Sequence, residues 1–231
     1  MKPWKSKQWV IPPKENGEFV ARMEWVLEVY KRPYDPLCPV VCMDESPKQL
    51  VADVRPPLPM EPGKPKRRDY HYKRNGVCTV FVAFEPLTGR RFVQVRKQRT
   101  KKDYAEFMHW VAAQYPEAET IVVVQDNLNT HNPGSFYQAF VPEQAFALAQ
   151  RFEMHYTPVK ASWLNMVEIE LSILSKQCLD RRIADMETLE REALAWAEER
   201  NARRATVQWQ FTKDKAREKF SKFYPNQSQF T

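Results

Sequence analysis

The stretch Ile121-Val-Val-Val-Gln-Asp126-Asn-Leu-Asn-Thr-His131 decides how this chain is read. Four β-branched residues in a row, without alternation, mark a strand buried on both faces. Such strands belong to open sheets covered by helices, which bind ligands at the carboxyl ends of their strands. Asp126 falls at that end. An Asx turn or a helix cap would account for a single aspartate there just as well. Asn127, Asn129 and His131 follow at once, and each can orient a carboxylate, a phosphate or a water. An ordinary structural hydrogen bond is the plainer role for His131.

Upstream, Pro39-Val-Val-Cys-Met-Asp44 is a second apolar run closing on an acid, with a strand predicted over 40–44. Strand alternation puts Glu45 on the opposite face from Asp44, so either acid can be the one that looks toward Asp126. Residues 55–75 carry five prolines, which excludes a helix and a central strand. Runs 77–84 and 91–96 form a hairpin around the turn Pro86-Leu-Thr-Gly89. A helix is predicted over 101–114, opened by Thr100 and Asp103. A helix at 143–151 and a strand at 152–156 follow, then helices at 162–179, 185–200 and 213–222. An earlier amphipathic helix occupies 18–30. This order predicts an α/β fold, a mixed sheet with helices on both faces, and the hairpin argues against a purely parallel one.

A third acid lies in the 162–179 helix. At about 100° per residue, Leu164, Val167, Leu171, Leu174 and Cys178 form one core stripe. Glu168 flanks it beside Asn165, Ser172 and Ser175, where a polar border meets the core. Glu170 falls on the other flank, toward solvent or a neighbouring helix. A solvated surface acid is the plain alternative for Glu168. Taken together, Asp44, Asp126 and Glu168 can converge on a pair of divalent cations, and such a pair can cut or join a phosphodiester. All-oxygen donors without a His/Cys cluster favour two Mg²⁺ or Mn²⁺ ions over zinc.

Composition narrows the partners. With 43% hydrophobic and 28% charged residues, the chain is an ordinary globular protein rather than a disordered one. No apolar stretch approaches the roughly 20 residues that span a bilayer, and Met1-Lys-Pro-Trp-Lys-Ser-Lys-Gln-Trp9 lacks a signal peptide's apolar core. No membrane partner and a cytoplasmic, nucleoid-associated location are therefore expected. A net charge of +7 suits a polyanionic partner. Lys64, Lys66, Arg67, Arg68, Lys73, Arg74, Arg99, Lys101 and Lys102 are the candidate DNA contacts; a solvated loop and a charged hairpin edge would use the same residues. Trp163 and Tyr156 can stack on a base or pack in the core. The five glycines form no phosphate-cradling loop. Cys38, Cys42, Cys78 and Cys178 lack metal or redox spacing and are read as structural.

Three blocks also carry a resemblance. Val41-Cys-Met-Asp44-Glu-Ser-Pro47, Gln125-Asp126-Asn-Leu-Asn-Thr-His131 and Tyr156-Thr-Pro-Val-Lys-Ala-Ser-Trp-Leu-Asn-Met-Val-Glu168 resemble the catalytic blocks of insertion-sequence transposases of the IS630 and Tc1/mariner superfamily. The likeness continues through Gln177-Cys-Leu-Asp-Arg-Arg182 and Val207-Gln-Trp-Gln-Phe-Thr212. It implies a ribonuclease-H-like fold with Asp44, Asp126 and Glu168 as the DDE triad, and it maps the family's Asn-x-x-Glu element onto Asn165 and Glu168. It further implies metal-dependent cleavage of double-stranded DNA at transposon ends, 3′-hydroxyl strand transfer into target DNA, and a homodimer on DNA. The family carries helix-turn-helix modules ahead of its catalytic domain. This sequence starts too late to hold them, which leaves a separate helix-turn-helix polypeptide as a candidate partner. The expected organisation is a basic, aromatic segment with a short helix (1–37), a ribonuclease-H-like catalytic core (38–182) and a helical extension (183–231). A ribonuclease-H-like nuclease that cuts without joining, and a non-catalytic DNA-binding remnant, are the rival readings.

Overall fold

In the computed structural model of the protein, strand β4 (Ile121–Gln125) is buried along its whole length. The structure describes residues 16–225; the Met1–Trp9 stretch, the remainder of 1–15 and residues 226–231 lie outside the described residues. Around β4 stand β1 (Val40–Asp53), β2 (Tyr72–Glu85), β3 (Arg90–Arg96) and β5 (Phe152–Tyr156), in the order β3-β2-β1-β4-β5. β1, β2 and β3 form an antiparallel meander, while β4 lies parallel to both β1 and β5.

Alternation along the strands sorts the core into two layers. Val40, Cys42, Val122 and Val124 face α1 (Gly17–Val29), α4 (Val167–Leu174), α5 (Met186–Ala202) and α6 (Lys213–Lys219). Val41, Met43, Ile121 and Val123 face α2 (Lys101–Ala113) and α3 (Pro142–Gln150). This is the predicted mixed sheet with helices on both faces. The residues of α1, α5 and α6 share one hydrophobic cluster with the central strands, so the segments flanking 38–182 pack as part of the same body. No helix among the described residues is long and apolar enough to cross a membrane.

The start of α2 follows its sequence signal. The Thr100 hydroxyl accepts from Asp103 N–H while the Asp103 carboxylate accepts from Thr100 N–H, a reciprocal capping box. Gly89 closes the β2–β3 turn at φ +73°, and a Cβ there would stand 2.8 Å from the backbone of Arg204. Only glycine allows the chain after α5 to cross that turn, where Val207 N–H donates to Pro86 O at 3.1 Å.

Three predicted boundaries change. β1 runs nine residues past Asp44, because its antiparallel pairing with β2 continues after the parallel pairing with β4 has ended at Cys42–Val124. Beyond that point β1 has an open edge, which is how it tolerates Pro47. The predicted loop at 55–75 shortens to the turn between Asp53 and Tyr72, pinched by bridges Leu58–Arg67 and Glu61–Lys64. The predicted 162–179 helix is three pieces: a 3₁₀ turn at Ser162–Leu164, α4, and a π turn at Ser175–Leu179. Asn165 interrupts it in extended conformation, ψ 115°.

Candidate active site

Asp44 and Asp126 extend the same face of the sheet. The ladder pairs Val40 with Val122 and Cys42 with Val124. Two residues further along come Asp44, within β1, and Asp126, directly after the end of β4, both beyond the last paired residues of the ladder. Glu168 sits in the first turn of α4. That turn is tied to β1 directly: the Asn165 amide donates to Met43 O at 2.9 Å, and its own oxygen accepts from Val167 N–H at 3.4 Å. The buried Tyr30 hydroxyl holds the same segment, donating to Leu164 O at 2.7 Å and accepting from Met166 N–H at 3.3 Å.

The electrostatic link between the acids is seen at Asp44. Burial pushes the Asp44 carboxyl up to about 7, and the charges of Asp126, Glu45 and Glu168 add to that push against the opposing Glu45 N–H bond. Burial also works against ionised Asp126, but bonds from His131 and from Leu128 N–H outweigh it and hold this carboxyl below the ordinary aspartate value. Among the described residues, Asp44 Oδ2, Asp126 Oδ2 and the whole Glu168 carboxylate have no hydrogen-bond or ion-pair partner in the protein. The donor set suits a hard divalent cation: all oxygen, net negative, with an uncommitted oxygen on each residue. The side chains are not closed upon one point, and no group of three His, Cys, Asp or Glu among the described residues stands close enough to hold a metal ion. Uncompensated like charges repel, which opposes closure of the carboxylates upon one another.

The Glu45 side chain turns to the opposite face of β1 from Asp44. It lies on the α2 face, where its Oε2 stands 2.8 Å from His131 Nε2. His131 Nδ1 stands 2.7 Å from Asp126 Oδ1. Burial opposes a charged imidazole here, yet the two carboxylates outweigh it and raise His131 to about 9, so both ring N–H groups donate. Tyr104 covers the ring at 4.9 Å between centroids.

The remaining predicted residues are scattered. Asn127 bridges away from the acids, donating to Thr157 O and accepting from Arg22. The Asn129 side chain is exposed, and only its backbone carbonyl is used, by Asn132. Arg99 lies 3.9 Å from Glu45, near the site. Lys101 and Lys102 open α2, with Lys102 3.9 Å from Glu106. Lys64, Lys66, Arg67, Arg68, Lys73 and Arg74 are exposed at the far end of the β1–β2 ribbon, and Lys64 pairs with Glu61. Nine residues of strand separate Asp44 from that end, about 30 Å at roughly 3.3 Å per residue. Trp163 packs edge-on against Phe211 while staying partly exposed.

Of the two alternatives for Glu170, solvent or a neighbouring helix, the second holds: it turns inward toward α5 and β3. It is fully buried between Arg91 Nε at 2.5 Å and the Arg200 guanidinium at 2.9 Å. A helical wheel places it on a flank without saying which partner waits there. The sequence reading also missed a cleft of about 350 Å³ beside Asp126, walled by Leu128, Pro158, Val159, Lys160 and Ser162. Lys160 adopts φ +65°, which no local sequence signal announces.

The fold has known counterparts. The chain superposes on the Mos1 mariner paired end complex with Mn (16% identity, TM-score 0.56, 89% of this chain) and on the mariner Mos1 paired end complex with Mg (16% identity, TM-score 0.57, 90% of this chain). It spans 63% and 64% of the length of those chains. The likeness makes the sheet ribonuclease-H-like. No curated protein matches the sequence. Residues 39–190, well over half of the chain and including all three acids, match the model of the DDE superfamily endonucleases, and the chain belongs to that family.

Proposed function

We propose that this chain is the catalytic domain of an insertion-sequence transposase of the IS630 and Tc1/mariner type, cutting double-stranded DNA at transposon ends and joining the freed 3′-hydroxyl to target DNA. The observation that carries the reading is the placement of Asp44 and Asp126 just past the last paired residues of β1 and β4, with the charges of Asp126 and Glu168 acting on the buried Asp44 carboxyl, within a DDE family match.

Asp44, Asp126 and Glu168 would hold two Mg²⁺ or Mn²⁺ ions, which supply the charge that activates an attacking hydroxyl and steadies the leaving 3′-oxygen. The protein's own part is positioning. Asn165 and Tyr30 set the first turn of α4 against β1, and His131 fixes Asp126. The cleft beside Asp126 is open to an extended strand, with Lys160 on its wall to meet a phosphate. Water attacks the phosphorus first and releases a 3′-hydroxyl; that hydroxyl then attacks the target phosphodiester in line. No covalent enzyme intermediate is needed. Coordinated cutting of two ends calls for two copies of the chain on DNA.

Nicking of terminal-repeat DNA in Mg²⁺ tests the assignment: Asp126→Ala abolishes it, and full activity in that variant would refute the reading. Pre-cleaved ends then separate a transposase, which joins them to target DNA, from a nuclease that only cuts.

A further inference from the structure

The sheet does not fix the spacing of Asp44 and Asp126. Parallel hydrogen bonding between β1 and β4 stops at Cys42–Val124, two residues short of both acids. A side-chain link takes over on the other face. Glu45, the residue after Asp44, reaches His131 at 2.8 Å, and His131 reaches Asp126 Oδ1 at 2.7 Å. The side chains of Glu45 and His131 are 2% and 0% exposed, so that half of the link is closed to water, while the Asp126 carboxylate is 34% exposed. It is also held from outside. Tyr104 covers the imidazole, its hydroxyl donates to Gln125 Oε1 at 2.9 Å, and Gln125 Nε2 donates to His131 O at 3.3 Å. Leu128 N–H converges on the same Asp126 oxygen at 2.9 Å. Both donors therefore occupy Oδ1 and leave Oδ2 without a protein partner among the described residues.

We propose that Glu45 is a positioning residue: acting through His131, it locks the rotamer of Asp126 and ties that acid to the strand carrying Asp44. Residues 44 and 45 thus divide the work between the two faces of β1. One presents a ligand; its neighbour aims the ligand across the gap. A carboxylate behind an imidazole also strengthens the ring's grip on its second partner, as in outer-shell carboxylate–histidine pairs at metal sites. Arg99 Nη1 also stands 3.9 Å from Glu45 Oε1, and the charge of Asp44 is coupled to this carboxylate.

This inference rests on the two-ion reading of the triad, and the test keeps the two apart. Mn²⁺ alone is titrated calorimetrically into the wild-type protein, Glu45→Gln, His131→Gln and the double variant, with thermal melting of each. Glu45→Gln keeps the shape and a hydrogen-bond acceptor but removes the charge. The expected result is a roughly 10- to 100-fold loss of Mn²⁺ affinity, with kcat for nicking reduced and KM for DNA unchanged. The double variant should lose no more than His131→Gln alone, because both substitutions break one link. Wild-type Mn²⁺ affinity in Glu45→Gln overturns the proposal, as do additive losses in the double variant. Should Glu45→Gln fail to fold, His131→Gln carries the test, and unchanged Mn²⁺ affinity there also overturns it. A wild-type protein with no Mn²⁺ affinity overturns the two-ion reading, and this proposal with it.

Discussion

The Asn165 side chain bonds no acid among the described residues, yet it governs where one of them stands. Its amide joins Met43 O, one residue before Asp44, to the turn that opens α4 three residues before Glu168. Asn165→Ala should lower the nicking rate by roughly 10- to 100-fold, the usual loss when a residue supporting metal ligands is removed. An unpaired Met43 carbonyl in a buried site should also cost about 1–3 kcal/mol of stability. Rates and urea melts on one preparation check both numbers. At this scale the sequence is informative where a residue ends a pattern. Asp126 closes a buried β-branched run and Asp44 an apolar one, so the residue pattern by itself makes both stand out. The bond from Asn165 to Met43 spans 122 positions and leaves no local trace. Asn127 and Asn129 show the opposite failure: polar neighbours of an acid in sequence, they turn to Thr157 and to solvent in the fold.

Among the elements, α4 depends on a buried charge cluster for its rotation about its own axis. Glu170 anchors it to Arg91 of β3 and Arg200 of α5, which leaves Glu168 on the flank that faces the other acids. Removing the carboxylate strands two guanidinium groups, one of them fully buried, so Glu170→Gln should destabilise the protein by on the order of 3–5 kcal/mol. Burial opposes ionised Glu170, but Arg91 and Arg200 outweigh it and hold the carboxyl below its usual 4.5. A depressed native pKa means that the unfolded chain takes up protons first as the pH falls. The stabilisation is therefore present above about pH 4.5 and disappears as the pH drops through the native value. Melting temperatures between about pH 7 and about pH 3 should show this acid loss in the wild type and a shallower one in Glu170→Gln. Strands and helices were largely legible because hydrophobic period and turn residues mark them: the β5 prediction at 152–156 coincides with the strand, and the capping box opens α2. The end of β1 was not, since strand length past Asp44 depends on pairing with a distant segment, Gln49 opposite Val77 and Asp53 opposite Tyr72. The break at Asn165 was hidden for a similar reason, as the apolar spacing runs through it unchanged.

For the whole molecule, charge is distributed at two distances from the acids. Arg99 lies near the site, whereas Lys64, Lys66, Arg67, Arg68, Lys73 and Arg74 sit about 30 Å along the β1–β2 ribbon. Arg182 braces that excursion, donating to Asp53 at 2.7 Å and to the carbonyls of Asp69, Tyr70 and His71. A braced basic arm remote from the chemistry suits backbone contacts that hold DNA without reading it. Replacing those six residues by Gln should reduce the salt slope of DNA affinity by roughly 0.9 for each phosphate that is no longer neutralised. Asp126→Ala should leave the slope unchanged. Fluorescence anisotropy across a salt series distinguishes them.

The account depends on Asp44, Asp126 and Glu168 acting as one cation site, and calorimetric titration of Mn²⁺ into the wild type, Asp44→Asn, Asp126→Asn and Glu168→Gln tests this most directly. Two Mn²⁺ ions should bind the wild type, and each single substitution should weaken or abolish that binding. Undiminished Mn²⁺ binding in any one of the three variants would contradict a shared site.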